Sequence, residues 1–267
     1  MLALFRHHIL RALLVAHSLQ RLLWMARRLF TYALLRVQPA GSLFMVQTRA
    51  QRVQGGQSLQ DAVARLAEAA RAQPRRAPVS DKHAGCLVPL FEDGAGVVRV
   101  WLTRRSKQLR THAGEVCLPG GRRDEEDCGD DAVTALREAQ EELGLDPSAA
   151  RVVCKLPPFL SKHYLSVTPV VAQVPADFTP AINPAEVDAA FHMPLAAFLE
   201  ADHHLHWDVG GARGGGLRYR IHSFDHIDGR EHYVIWGLTA SMLIRVAELA
   251  FGRAPAFEVG LRPRPHL

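Results

Sequence analysis

The sequence predicts an α+β domain, and three observations carry the prediction. Short apolar, β-branched runs of strand length recur along the chain. Segments with apolar residues at helical spacing lie before, between and after them. The two kinds do not alternate strictly, as they would in a βαβ fold, so helices and strands are expected in layers over roughly residues 78–257.

The elements follow in order. "SLQDAVARLAEAARAQ" (58–73) repeats Leu59, Ala62, Val63, Leu66 and Ala69 on one helical face, and "PRRAP" ends it. Residues 56–77 are therefore an amphipathic helix and linker. "GCLVPLF" and "VVRVWLT" flank "EDGAG" and read as a hairpin. "ARVVCKL", "SVTPVVAQV" and "RYRIHSF" are further strands, and "HYVIWGLTASMLIRVAELAFG" runs from a short strand into a long apolar-sided helix. Residues 258–267 form a tail.

The charge is unevenly spread. The net charge is +5, yet residues 1–60 hold eight Arg and no Lys, Asp or Glu, so the rest of the chain is net acidic by three. The folded body has no basic block of the kind that grips nucleic acid. No stretch of the first 55 residues is long and apolar enough to span a membrane without an Arg in it. Arg-rich, acid-free and amphipathic, residues 1–55 have the pattern of an organellar targeting extension. The alternatives are an amphipathic helix lying on a membrane or partner, or a start at Met45.

Cys86, Cys117, Cys128 and Cys154 show no C-x-x-C pairing and read as buried or half-buried thiols of a reducing compartment. The histidines of "DHHLHWD" (202–208) read as a solvated loop.

The most informative stretch is "GGRRDEEDCGDDAVTALREAQEELGL" (120–145). Asp130 and Asp131 suit a helix start and Gly144 a helix stop. Laid out at about 100° per residue, Ala132, Val133, Leu136, Ala139, Gln140 and Leu143 share one arc, expected to be buried. Thr134, Arg137, Glu138, Glu141 and Glu142 fall opposite, expected to be exposed. Three carboxylates on one face repel unless a cation sits there, and hard divalent ions take such oxygen ligands. A merely acidic, solvated face is the other reading of the helix alone.

Around this helix the sequence resembles the Nudix hydrolases, whose motif ends Arg-Glu-apolar-x-Glu-Glu-x-Gly-apolar. Arg137, Glu138, Ala139, Glu141, Glu142, Gly144 and Leu145 match it. The loop from Gly121 to Arg137 is two residues longer than the family pattern, so the acid normally found mid-loop is unassigned, with Asp127 nearest and Asp130 and Asp131 behind it. The resemblance implies an α/β/α sandwich with a mixed sheet. It also implies a Mg²⁺ (or Mn²⁺) site on Glu138 and Glu142 with help from Glu141, with Arg137 orienting the glutamates and Gly120 and Gly121 letting backbone approach metal or phosphate.

"LTRRSKQLRTHAGEVCLPGG" (102–121) is similar to an element of the coenzyme A pyrophosphatase branch, with Leu102, Thr103, Arg105, Ser106, Arg110, Gly114 and Leu118–Gly121 in place. That branch implies coenzyme A and acyl-CoA as substrates, bound through Arg105, Ser106 and Arg110. Its products would be adenosine 3′,5′-bisphosphate and a phosphopantetheine. "PFLSKHYLSVTPVV", "NPAEVDAAF" and "IWGLTA" extend the likeness to plant-type mitochondrial members. A different diphosphate substrate, such as ADP-ribose or a dinucleotide, and a reader that has lost the chemistry are the rivals. Mitochondria are the expected address. The terminal "RPRPHL" is a distant relative of a peroxisomal signal and makes the peroxisome the alternative.

Overall fold

A computed structural model describes residues 57–73, 80–161, 163–210 and 219–261. The expected targeting extension (1–55), the "PRRAP" linker and the end of the tail lie outside the described residues.

The chain opens with α1 (Leu59–Ala72) and the hairpin of β1 (His83–Glu92) and β2 (Val98–Arg105). Short strands β3 (Val116–Cys117) and β4 (Gly120–Arg122) lead into α2 (Asp131–Leu143). Then come β5 (Arg151–Lys155), β6 (Phe159–Leu160), β7 (Ser166–Gln173) and β8 (Val187–Pro194). A second, three-stranded sheet of β9 (His204–Val209), β10 (Tyr219–Asp228) and β11 (Glu231–Trp236) runs into α3 (Gly237–Phe251).

The main sheet is mixed. β1 lies at its centre, parallel to β7 and antiparallel to β2 and β4. Both faces of β1 are buried: Leu87 and Phe91 pack with Ala135 and Ala139 of α2, and Cys86, Val88 and Leu90 join the larger core with α1 and α3. The result is helix, sheet, helix, as the resemblance implied. Among the described residues no helix is long and apolar enough to cross a membrane.

One feature of the sheet makes the site. β1 pairs with β2 only at Leu90–Glu92 and with β4 only at Ala84–Cys86, so the two partners splay apart between. Pro89, which has no N–H to give a ladder, falls in that gap. β3 pairs with β2 and β4 with β1, and the Leu118–Gly120 turn bridges the V between them. α2 crosses over this turn.

Local chemistry sets α2's ends. The Asp130 side chain accepts from the Ala132 N–H, and Gly144 closes the helix in the left-handed conformation at φ 67°. The buried face differs from the one expected. Thr134, Ala135, Ala139, Glu142 and Leu143 are buried, whereas Val133 is 45% exposed and Gln140 is exposed. Sorting by hydrophobicity treats the acidic side as solvent, but that side is the wall of the cleft formed by β4 and the loop before α2.

Two other expectations change. Residues 204–209 are not a solvated loop but strand β9. The His204 ring stacks on Phe257 and on His222, and the His222 Nε2–H donates to the Val259 carbonyl at 2.9 Å. His222 Nδ1 is then left to accept from His204 Nε2, also at 2.9 Å. Burial draws the His204 pKa down to about 4, so this packing is between neutral rings. All four cysteines are free as expected, but Cys128 is exposed.

Candidate active site

Glu138 and Glu142 of α2 point inward, toward the β3–β4 turn. Glu138, Glu142 and Glu186 each offer an oxygen, all within 4.8 Å of one another. Glu138 lies over Gly121, where any Cβ would land on its carboxylate. Gly120 is constrained from the other side, since a Cβ there would stand 2.5 Å from the Gly85 carbonyl oxygen and 2.7 Å from the Cys86 Cα. The glycine pair thus lets the turn press between β1 and the helix, and the Gly120 backbone amide lies close enough to Glu142 to favour its charged form.

Glu142 is 2% exposed. Burial, with Glu138 and Glu186 nearby, pushes its pKa up to about 8 against the opposing pull of Arg105. Arg105 Nη1 is 4.0 Å from Glu142 Oε1, while Glu142 Oε2 is buried with no hydrogen-bond partner. Burial also raises the Glu138 pKa, offset in part by Arg137. Of the three clustered carboxylates only Glu138 has a close arginine among the described residues, Arg137; Glu142 has an orphaned buried oxygen and Arg105 at the limit of contact, so the cluster is poorly compensated as it stands. A divalent cation fits them: hard, oxygen-seeking, and of the charge this cluster lacks.

Arg137 does not face the cleft. Its guanidinium grips Asp127 with two bonds, Nε to Oδ1 at 3.0 Å and Nη2 to Oδ2 at 3.1 Å. Nη1 reaches Glu138 Oε1 at 3.0 Å and Glu141 at 3.3 Å. Asp127 is 1% exposed and also accepts from the Thr134 hydroxyl (2.9 Å) and the Asp124 N–H (2.8 Å). These bonds, the Arg137 pair first, hold its carboxyl well below the usual carboxylate range. Asp127, unassigned from sequence, is thus the buried anchor of Arg137. Asp130 and Asp131 serve elsewhere: Asp130 caps α2 and pairs with Lys155, and Asp131 binds Arg123 and the Thr168 hydroxyl.

The remaining predicted residues divide. Glu141 is not among the three clustered carboxylates; its side chain is 47% exposed and bonds Arg137 on the outer side. Glu186, which the sequence reading missed, completes the cluster from the loop before β8. Arg105 stands in the cleft beside Glu142. Ser106 is buried: its N–H donates to the Glu186 carbonyl at 2.8 Å and its Oγ accepts from the Gln108 N–H. Arg110 is exposed in the β2–β3 loop and has no ion-pair partner among the described residues.

Comparison with known proteins agrees with this geometry. A family model described as the NUDIX domain matches residues 81–209. The chain is 36% identical over 203 residues to a peroxisomal coenzyme A diphosphatase of Mus musculus, an alignment covering 73% of this chain and 84% of that one. The chain belongs to the Nudix hydrolase family. It is also 48% identical over 178 residues to the mitochondrial Nudix hydrolase 15 of Arabidopsis thaliana, covering 66% of this chain and 61% of that relative's length. A peroxisomal coenzyme A diphosphatase of Caenorhabditis elegans is 36% identical over 180 residues, covering 67% of this chain and 73% of that one. In this Nudix hydrolase, then, the Arg-Glu-x-x-Glu-Glu segment lies on α2, and its outer and inner acids have different surroundings.

Proposed function

We propose that this Nudix hydrolase cleaves the pyrophosphate bond of coenzyme A and its acyl derivatives, giving adenosine 3′,5′-bisphosphate and (acyl-)phosphopantetheine. The observation that carries the reading is the convergence of Glu138, Glu142 and Glu186 on the glycine turn, with Arg105 beside them.

Glu138, Glu142 and Glu186 would hold the cation. When bound, Mg²⁺ or Mn²⁺ neutralises the pyrophosphate oxygens and makes a water a better nucleophile. The protein's own groups do the rest. Arg137, fixed by Asp127, sets the direction of Glu138. Arg105 adds positive charge where the pyrophosphate would lie, and Gly120 and Gly121 present bare backbone to it. Water attacks one phosphorus, its proton passes to a carboxylate of the cluster, and the anhydride P–O bond breaks with the second phosphate leaving as an anion.

Support for coenzyme A comes from the Arg105–Arg110 element and from the coenzyme A diphosphatases among the relatives. Arg110, exposed and unpaired among the described residues, is suited to a 3′-phosphate on the substrate. A metal-dependent turnover assay comparing coenzyme A with ADP-ribose and a dinucleotide tests the reading. Preferred hydrolysis of ADP-ribose or the dinucleotide would favour the rival substrate. We further infer a mitochondrial address, supported by the Arg-rich, acid-free residues 1–55 and by the relative named as mitochondrial. Cytosolic fluorescence from a fusion of residues 1–55 to a reporter would argue against it.

A further inference from the structure

We propose that Asn183 is a positioning residue for the carboxylate cluster, acting through Glu186. The inference rests on the reading of that cluster as a metal site.

Glu138 and Glu142 share a helix, so their spacing is set by α2. Glu186 comes from a separate loop, and a carboxylate facing two others is driven away by repulsion unless something retains it. The retaining element is a clasp on the last turn of α2. That turn has carbonyls with no intrahelical partner. The Ala181 N–H donates to the Leu143 carbonyl at 2.8 Å, and the Asn183 N–H donates to the carbonyl of Glu142 itself at 3.1 Å. Asn183 then organises the loop beyond it. Its carbonyl accepts from the N–H groups of Glu186 (3.0 Å) and Val187 (2.9 Å), and its Oδ1 accepts from the Ala185 N–H at 3.2 Å. Its Nδ2 donates to Glu186 Oε1 at 3.4 Å. On the far side the Ser106 N–H holds the Glu186 carbonyl, next to Arg105 in the chain.

One residue therefore links the backbone of one cluster member to the carboxylate of another. The position uses both ends of a carboxamide: an acceptor for the turn and a donor for the acid. Aspartate would supply the first and add a further negative charge. Serine keeps the acceptor and loses the Nδ2 donor, leaving only the proton of a shorter hydroxyl, which is what makes it the useful substitution.

The test measures Mn²⁺ binding to the full chain, by electron paramagnetic resonance of the free ion, and turnover of coenzyme A. Asn183→Ser retains the acceptor for the Ala185 N–H and the backbone bond to α2, so the metal-free melting midpoint should stay near that of the wild type. Its Mn²⁺ affinity should fall on the order of tenfold. The Mn²⁺ concentration for half-maximal turnover should rise in parallel, with the KM for coenzyme A at saturating Mn²⁺ unchanged. Asn183→Ala, which also loses the cap, should lower the melting midpoint as well. In a Glu186→Ala background, Asn183→Ser should cost nothing further, because the group it acts through is already gone. Wild-type Mn²⁺ affinity in Asn183→Ser, or an equal loss in both backgrounds, overturns the proposal. Unchanged Mn²⁺ affinity in Glu138→Gln and Glu142→Gln would instead overturn the cluster reading on which it rests.

Discussion

Glu142→Gln should stabilise the metal-free protein while abolishing its response to metal. Glu142 is buried, and its pKa of about 8 lies well above the ordinary glutamate value of 4.5. Between those two values the folded protein holds a proton that the unfolded chain has released. Stability therefore falls as pH rises through the window from about 4.5 to 8, and the full cost is present above it. The shift corresponds to roughly 5 kcal/mol at about 1.4 kcal/mol per pKa unit. The variant forgoes the attraction of Arg105 at 4.0 Å, so a net gain of about 2–3 kcal/mol is expected at pH 8.5. For a domain of this size that is on the order of 5–10 °C in melting midpoint. Differential scanning calorimetry in a chelator, at pH 5.5 and 8.5, reads it. The variant should melt well above wild type at pH 8.5 and close to it at pH 5.5. With Mn²⁺ at pH 8.5 the wild type should rise and the variant should not. A variant less stable than wild type at pH 8.5 without metal, or a difference independent of pH, would refute the reasoning.

Three further outcomes are expected. Gly121→Ala places a methyl on the Glu138 carboxylate and should weaken Mn²⁺ binding at least tenfold, with circular dichroism showing the fold retained. Arg110→Ala should raise the KM for coenzyme A about tenfold, as loss of a charged hydrogen bond does, and leave dephospho-coenzyme A unaffected; Arg105→Ala should impair both substrates alike, because Arg105 stands beside Glu142. Asp127→Asn breaks the pair that anchors Arg137 and should destabilise the fold by about 3 kcal/mol; urea denaturation measures this, and a loss below about 0.5 kcal/mol would show that Asp127 anchors nothing.

Much of this was legible in the residues because much of it is local. The α2 boundaries follow from Asp130 and Gly144, and the hairpin of β1 and β2 follows from apolar runs around "EDGAG". Glu138 and Glu142 lie one helical turn apart, so their shared side can be read from spacing alone. What spacing does not carry is the environment of that side. The helical wheel divided α2 into apolar and polar arcs, and so expected Glu142 and Thr134 in water and Val133 in the core; the structure places them the other way round. The glycine turn and the Asp127–Arg137 pair, which no periodicity announces, convert an acidic face into a cleft wall.

Glu186 was missed for a related reason. It lies far along the chain from α2, in a loop with no periodic signal, and reaches the cluster only through the tertiary clasp on the helix end. β8 went unread because Asp188, Ala189 and Ala190 dilute its strand pattern, although it pairs with β2 along almost its whole length. β9 was hidden by its histidines: His204 packs on Phe257 and bonds His222 of β10, both distant in sequence.

The most direct test of the central claim is turnover of coenzyme A by the purified full chain, with Mn²⁺ or Mg²⁺ and with a chelator, the products resolved by chromatography and mass. The account predicts adenosine 3′,5′-bisphosphate and phosphopantetheine in equal amounts, formed only with the metal and lost in Glu138→Gln. Coenzyme A left intact while another diphosphate is cleaved, or cleavage that continues undiminished in the chelator, would contradict it.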